Sequence, residues 1–190
     1  LCDYKKGRIS EESVERSKLL MDDLGLKIED RKVVQPAKDY AESKKDDAKF
    51  ENVVVMSIEL PDGRIVTGRS SRRMVASAAM VLNAVKALSG IQDNIPLISP
   101  SIIENIQKVK TEILQHEKAG LHCEEILSAL TISSATNPTA EVALAKLPDL
   151  RGCKAHCTAI LSDHDEQTLK SMGLDVTCDP EYITNNLYFG

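Results

Sequence analysis

The chain has 190 residues, enough for one sizeable hydrophobic core with a small appendage. Hydrophobic residues make up 42% of the composition and charged residues 28%, and no apolar run is long enough to cross a bilayer. The net charge of −5 and the 3% aromatic content argue against a nucleic-acid-binding protein, which needs a basic surface and stacking side chains. We therefore expect no membrane and no nucleic-acid partner.

The first 52 residues predict a helical lead-in followed by a linker. Residues 1–8 resemble the last turns of a helix that begins upstream, which indicates a piece of a longer protein. Ser10 is a good N-cap for the next helix, and Gly25 is a typical stop signal. We assign residues 1–37 to the lead-in. Residues 38–52 are charged and lack an apolar stripe, which favours a solvated helix or a mobile linker.

The main domain, residues 53–190, opens with a predicted β-hairpin. Residues 53–60 and 64–67 are rich in β-formers, and Pro61-Asp62-Gly63 between them is a turn sequence. The next stretch, residues 70–90, predicts an alanine-rich helix that ends at Gly90.

In this helix we expect Val75, Ala79 and Leu82 to pack on the sheet. Further helices are predicted at residues 99–114 and 122–133, and a third from Asn137-Pro138 to about residue 147.

The end of the domain alternates between strand and helix patterns. Residues 154–162 and 174–178 predict strands, and residues 163–172 predict the short helix between them, which together form a βαβ-type unit. The fold class expected is therefore α/β (α+β) with three layers, in which helices cover both faces of a mixed sheet.

Several long stretches resemble the C-terminal region of the bacterial family called domain of unknown function 1846. They follow one another in the family's order, and the resemblance covers nearly the whole chain. The stretches are LPDGRIVTG (60–68), KTEIL (110–114), ATNPTAEVAL (135–144), LRGCKAHCTAIL (150–161) and LDVTCDPEY (174–182).

This resemblance implies an upstream Rossmann-like domain as partner within the same protein and a cytidine-deaminase-like topology here. It implies no activity, because the function of the family is not established. A zinc deaminase needs H-x-E or C-x-E on the helix after the hairpin and P-C-x-x-C later. Residues 75–81 read VASAAMV, and no P-C-x-x-C occurs, so no zinc and no other cofactor is expected.

Cys153, His156 and Cys157 lie within five positions of one another. On a strand, Cys153 and Cys157 face one side and His156 faces the other, which disfavours both a metal site and a Cys–His nucleophile pair. Cys178 is the only plausible fourth ligand. His156 fits the family pattern and remains a weak catalytic candidate, with a hydrogen-bonded structural role as the alternative.

The sequence GRSSRR (68–73) contains the parts of an anion site. Ser70 or Ser71 would cap the following helix, where free amides point outward, and Arg69 and Arg72 lie beside them. The alternative is a solvated helix start with exposed arginines.

The small polar stretch at residues 133–139 offers Asn137 and Thr139 as a substrate loop. The alternative for this stretch is plain N-capping of the helix that follows it.

Two functions follow from these residues. In the first, the domain is non-catalytic. It provides contacts to the upstream domain of the same protein, or to a second copy of the chain in a homo-oligomer. In the second, it contributes Arg69, the helix start and His156 to a cleft of a phosphoryl- or nucleotide-handling enzyme that binds a phosphate-bearing small molecule. The five cysteines are odd in number and unevenly spaced, which favours a reducing, cytoplasmic location.

Overall fold

One mixed sheet of four strands organises the chain. The structure, a computed structural model, describes residues 1–44 and 53–182. The strands are β1 (Val55–Glu59), β2 (Ile65–Arg69), β3 (Lys154–Cys157) and β4 (Asp175–Cys178), in the order β2-β1-β3-β4. Strand β1 is antiparallel to β2 and β3, whereas β3 and β4 are parallel. The predicted α/β class is confirmed. The cytidine-deaminase-like topology stays a prediction.

The hairpin between β1 and β2 forms where the turn sequence predicts it. The amide of Leu60 donates to the carbonyl of Arg64 at 2.8 Å. Gly63 adopts a φ of +83°, which a residue with a side chain rarely reaches, and the Asp62 carboxylate accepts from the Arg64 amide at 3.1 Å.

Eight α-helices surround the sheet in the part of the chain that the structure describes. A π-helical turn (Val109–Ile113) continues α5, and short 3₁₀ turns lie at Ile28–Asp30 and Leu147–Leu150. Within these same residues no helix combines the length and apolarity needed to cross a membrane. The helices are α1 (Cys2–Lys5), α2 (Glu11–Asp23), α3 (Val34–Glu42), α4 (Ala76–Ser89), α5 (Pro100–Lys108), α6 (Cys123–Ser134), α7 (Pro138–Leu144) and α8 (Asp163–Ser171).

The two faces of the sheet are covered by different helices. Met56 and Ile58 of β1 belong to the main hydrophobic core with α4 and α6, and both are fully buried. Ser57, which alternates with them, points to the other face and donates to the carbonyl of Val33, beside the start of α3. The sheet is therefore the middle of three layers.

Helix α3 runs through the predicted boundary after residue 37. Val33, Val34 and Ala37 have no solvent exposure, because they cover the second face of the sheet. The first residues of the predicted linker, up to Glu42, thus continue a packed helix. Residues 45–52 of that linker lie outside the described residues.

Helix α4 begins later than the sequence predicts, and its most deeply buried residues are not the three predicted ones. Its first residue is Ala76. The backbone of Ala79 lies against Gly68 of β2, and Val75 and Leu82 pack against the main core, but all three are only half-buried. The residues with no solvent exposure are Ala78, Met80, Val81, Ala84 and Val85.

The backbone of α4 approaches the sheet very closely at Gly68 of β2. A Cβ atom placed on Gly68 would lie 2.1 Å from the amide nitrogen of Met80 and 2.5 Å from the carbonyl carbon of Ala79. These distances are shorter than real Cβ contacts, so the helix backbone rests directly on the glycine. Gly68 thereby fixes which side of α4 faces the strands.

Replacement of Gly68 by alanine is expected to destabilise the fold by about 3 kcal/mol, at the upper end of overpacking costs, because the obstacle is backbone and not a flexible side chain. Gly120→Ala is the matched control, since the nearest atoms to its new Cβ lie 3.8 Å away. Denaturant unfolding measures both free energies. Equal stability of the two variants would contradict the close packing at Gly68.

Candidate functional site

Strand β3 separates the histidine of the Cys153–His156–Cys157 cluster from its cysteines. Cys153 and Cys157 belong to the main core, whereas His156 lies on the face that α3 covers, between Ser57 of β1 and Thr177 of β4. Burial raises the pKa of the Cys157 thiol to about 12, so this sulfur is protonated at neutral pH. In residues 1–44 and 53–182, no three His, Cys, Asp or Glu side chains group in a way that could hold a metal ion.

His156 is 1% exposed. Its Nδ1 forms a hydrogen bond with Thr177 Oγ1 at 3.0 Å, whereas its Nε2 lies 3.4 Å from a carboxylate oxygen of Asp179 without a hydrogen bond. Burial lowers the pKa of His156 even though Asp179 opposes this. These contacts favour the hydrogen-bonded structural role, since a ligand could reach the ring only if α3 moved. A catalytic role for His156 stays a prediction.

The serines of the predicted anion site do not cap a helix. Ser70 Oγ accepts from the Val54 amide at 3.0 Å, and Ser71 Oγ accepts from the Arg73 and Met74 amides. Helix α4 begins at Ala76, several residues after the start predicted at 70–71. The serine side chains instead accept hydrogen bonds from the backbone of the loop before the helix and of the residue before β1.

Arg69 ends β2, and Arg72 is exposed in the loop that follows it. Anion binding at this place stays a prediction for Arg69, Ser70, Ser71 and Arg72. The helix N-terminus that motivates the prediction does not lie at these residues.

Both the oxygen and the nitrogen of the Asn137 side-chain amide form hydrogen bonds to the backbone. The side-chain oxygen accepts from the Thr139 amide at 3.0 Å, and the side-chain nitrogen donates to the Leu97 carbonyl at 3.3 Å. The N-cap of α7 is thus formed as the sequence predicts. A substrate contact by Asn137 or Thr139 stays a prediction.

A buried carboxylate that the sequence reasoning missed lies at the junction of α4, α6 and α8. Asp165, in the first turn of α8, is 3% exposed. Its Oδ1 accepts from the Cys123 amide at 2.9 Å and from Ser77 Oγ at 3.1 Å. Its Oδ2 lies 2.7 Å from both His122 Nδ1 and Ser162 Oγ. Four donors thus satisfy one carboxylate.

These donors keep Asp165 ionised. Burial alone would raise the pKa of Asp165, but the hydrogen bonds from His122, the Cys123 amide and Ser162 outweigh it and lower the pKa to about 2. Because an ionised carboxylate only accepts hydrogen bonds, the proton between the two groups belongs to His122 Nδ1.

Because this hydrogen bond occupies Nδ1 of His122, Nε2 is the ring nitrogen that can contact a further group. The His122 side chain is 36% exposed, whereas that of Asp165 is 4% exposed, so the ring reaches from the core to the surface. A histidine held at Nδ1 by a buried carboxylate has a fixed tautomer and orientation, which suits Nε2 for accepting or donating a proton.

An ion pair between Lys110 and Glu125 fixes the backbone on which His122 lies. Lys110 is 3% exposed and belongs to the π-helical turn after α5. Its ammonium group donates to Glu125 at 2.8 Å and to the Gly120 carbonyl at 2.8 Å. Glu125 also accepts from the His122 amide at 2.6 Å, so it closes a capping box at the start of α6.

Beside His122, an open depression of about 490 Å³ lies between α6 and α8. His164 and Glu124 line it and contact each other at 2.9 Å. The ring centroids of His122 and His164 are 6.1 Å apart. His122 itself does not line the depression, but its ring lies next to that of His164, which does.

The only sequence signals for this network were the short stretches LHCEE (121–125) and SDHDE (162–166). Each is typical of an acidic first turn of a helix, which usually lies in solvent. Nothing local distinguishes Asp165, which is buried, from Asp163, whose side chain is 76% exposed.

Comparison with known proteins agrees with the resemblance noted in the sequence. The family described as "Domain of unknown function DUF1846, C-terminal" matches residues 29–188. The chain belongs to this family. Relatives named "UPF0371 protein" are 53% identical in Clostridium botulinum (strain Langeland / NCTC 10281 / Type F) and 51% identical in Clostridium tetani (strain Massachusetts / E88). Each alignment covers 99% of this chain and 38% of the relative.

Both the family description and the names of the relatives leave the function open. The chain spans little more than a third of the length of these relatives, so most of each relative lies outside the region compared.

Replacement of Asp165 by asparagine is expected to flatten the loss of stability in acid. A carboxylate with a lowered pKa stabilises the fold above its unfolded pKa, about 3.9, and this contribution disappears as the pH falls toward 2. The shift corresponds to about 2–3 kcal/mol, since one pKa unit is about 1.36 kcal/mol.

Urea unfolding between pH 6 and pH 2 measures this difference. Asp149→Asn is the control, because its side chain is 46% exposed and pairs with Lys146 at the surface. If the wild type and Asp165→Asn lost stability in parallel below pH 4, the ionised, hydrogen-bonded Asp165 would be refuted.

Proposed function

We propose that this domain is a docking module that packs on the upstream part of the full-length protein through α2. The observation that supports this is the exposure of the leucines of α2. Leu19 and Leu20 within the helix and Leu24 at its C-cap are 64%, 61% and 63% exposed, and Val14 is the single buried residue of the helix.

The exposed leucines continue beyond the helix. Leu26 and Ile28 are 49% and 48% exposed, so five large apolar side chains cluster within ten positions of chain. Isolated apolar side chains on a surface are ordinary, but a contiguous group with charged neighbours is typical of an interaction surface. Leu20 and Leu24 lie one helical turn apart on the same side of α2 and form the centre of this surface.

The upstream part of the same protein is the occupant that fits best. The matched family is a C-terminal one, and the chain spans 38% of its relatives, so the larger part of such a protein lies elsewhere in the same polypeptide. The resemblance implies a Rossmann-like domain there. A covalently connected partner is always at high local concentration, so an apolar surface of this modest size is enough to hold it.

The double variant Leu20→Glu/Leu24→Glu of the full-length protein tests this proposal by hydrogen–deuterium exchange. Amides of α2 and of the upstream surface that it covers should exchange at least about tenfold faster in the variant. Burying one leucine contributes roughly 1.5–3 kcal/mol, and about 1.4 kcal/mol corresponds to tenfold.

Ile132→Glu/Val142→Glu is the matched control, because these apolar residues are 67% and 52% exposed on other helices. Unchanged exchange at α2 in the leucine variant would contradict the docking. A halved molecular mass in light scattering would instead assign the surface to a second copy of the chain.

A second candidate function is supported by the His122–Asp165 pair. An exposed imidazole that a buried carboxylate orients is a group suited to acid–base chemistry, and in the full-length protein it could serve a cleft shared with the upstream domain. The phosphoryl- or nucleotide-handling alternative would then use His122, whereas His156 is closed beneath α3.

A thermal-shift screen of the full-length protein with nucleotides and phosphorylated metabolites tests this second function. A ligand that raises the melting temperature of the wild type and of His156→Gln, but not that of His122→Ala, is the expected result. No loss of the shift in His122→Ala would remove His122 from the function.

A further inference from the structure

The thiols of Cys2 and Cys178 meet where α1 lies against the end of β4. Their sulfur atoms are 2.8 Å apart, although the residues are 176 positions apart in the sequence. The Cys2 thiol also donates to the carbonyl of Cys178 at 3.0 Å. Both residues are half-buried, so a small reagent can reach them.

Contacts other than the thiols hold α1 in this place. Lys6, just after α1, pairs with Glu166 at 2.7 Å and with Asp163 at 2.9 Å, and its side chain is 11% exposed. On the other side, the hydroxyl of Tyr182 donates to the carbonyl of Lys5 at 3.0 Å. The thiols are therefore brought together by the packing of both chain segments and not by a single side-chain contact.

The three remaining cysteines are placed differently. Cys123, Cys153 and Cys157 are buried in the main core. Cys153 and Cys157 are four positions apart along an extended segment, about 13 Å, which is too far for a disulfide. Cys157 is the register partner of Cys178 across β3 and β4 and is the one competitor among these three, but it is 1% exposed.

We infer that Cys2 and Cys178 form a reversible intramolecular disulfide, with a low-molecular-weight disulfide as the oxidant. A disulfide bond is about 2.05 Å long, so the sulfurs need to approach by about 0.8 Å. The reaction consumes two protein thiols and one small disulfide, and it releases two small thiols.

The exchange takes two steps. The thiolate of Cys178 attacks one sulfur of the small disulfide, which forms a mixed disulfide and expels the first small thiol. The thiolate of Cys2 then attacks the Cys178 sulfur and expels the second small thiol. Burial and the neighbouring Cys178 raise the pKa of Cys2 to about 12, so the second step becomes faster as the pH rises.

The disulfide would lock α1 onto the sheet. Strand β4 is the edge strand of the sheet and is paired with β3, whereas α1 is a single turn held by ion pairs and hydrogen bonds. The bond therefore converts a salt-sensitive attachment into a covalent one beside the proposed docking helix α2. It does not depend on the docking itself, because both thiols belong to this domain.

Peptide mapping of the full-length protein after incubation with oxidised glutathione tests the inference. The expected product is one linked peptide pair containing Cys2 and Cys178, which dithiothreitol reverses. The Cys2→Ser and Cys178→Ser variants should lack this product, and Cys153→Ser should retain it. A dominant link between Cys157 and Cys178, or two cysteines that carry only glutathione, would overturn the inference.

The melting temperature gives a second readout. The oxidised wild type should melt several degrees above the reduced protein, because the bond closes a loop of nearly the whole domain. The same treatment should leave the melting temperature of Cys2→Ser unchanged. An equal rise in Cys2→Ser would show that another oxidation stabilises the protein, and would overturn the assignment.

Discussion

The buried carboxylate of Asp165 needs hydrogen-bond donors, and the way it obtains them determines how three helices lie against one another. An ionised carboxylate without partners inside a protein costs several kcal/mol, so the fold must supply donors from nearby chain. They come from Ser77 of α4, from His122 and Cys123 at the start of α6, and from Ser162 before α8. None of these helices can shift without leaving one of these groups unpaired.

The two faces of the sheet differ in polarity, and the need of buried polar groups for hydrogen-bond partners determines what can cover each face. One face is purely apolar and rests on α4 through Gly68. The other carries Ser57 and His156, which are polar and almost fully buried, so the covering layer must offer partners as well as apolar surface. Helix α3 offers apolar side chains at its start, and the Val33 carbonyl just before it accepts from Ser57, whereas His156 is paired within the sheet by Thr177.

Residue patterns within short stretches of sequence predicted most helices and strands. They did not predict which residues the fold brings together from distant parts of the chain. The turn at Pro61-Asp62-Gly63 and the cap at Asn137 depend on neighbours in sequence, and both form as predicted. The start of α4 was wrong because the chain at Met74 pairs with Leu121, a contact between distant segments. Asp165 was missed for the same reason, since its burial depends on three helices.

Helix α8 connects the features that these proposals use. Asp165 and Glu166 are adjacent in its first turn, and their partners come from different segments of the chain. Asp165 holds His122, while Glu166 holds Lys6 beside α1. Because hydrogen bonds to lysines lower the pKa of Glu166 to about 2 despite its partial burial, both carboxylates stay ionised at neutral pH. The segment after α1 and the ring of His122 are therefore both held by neighbouring carboxylates of one short helix.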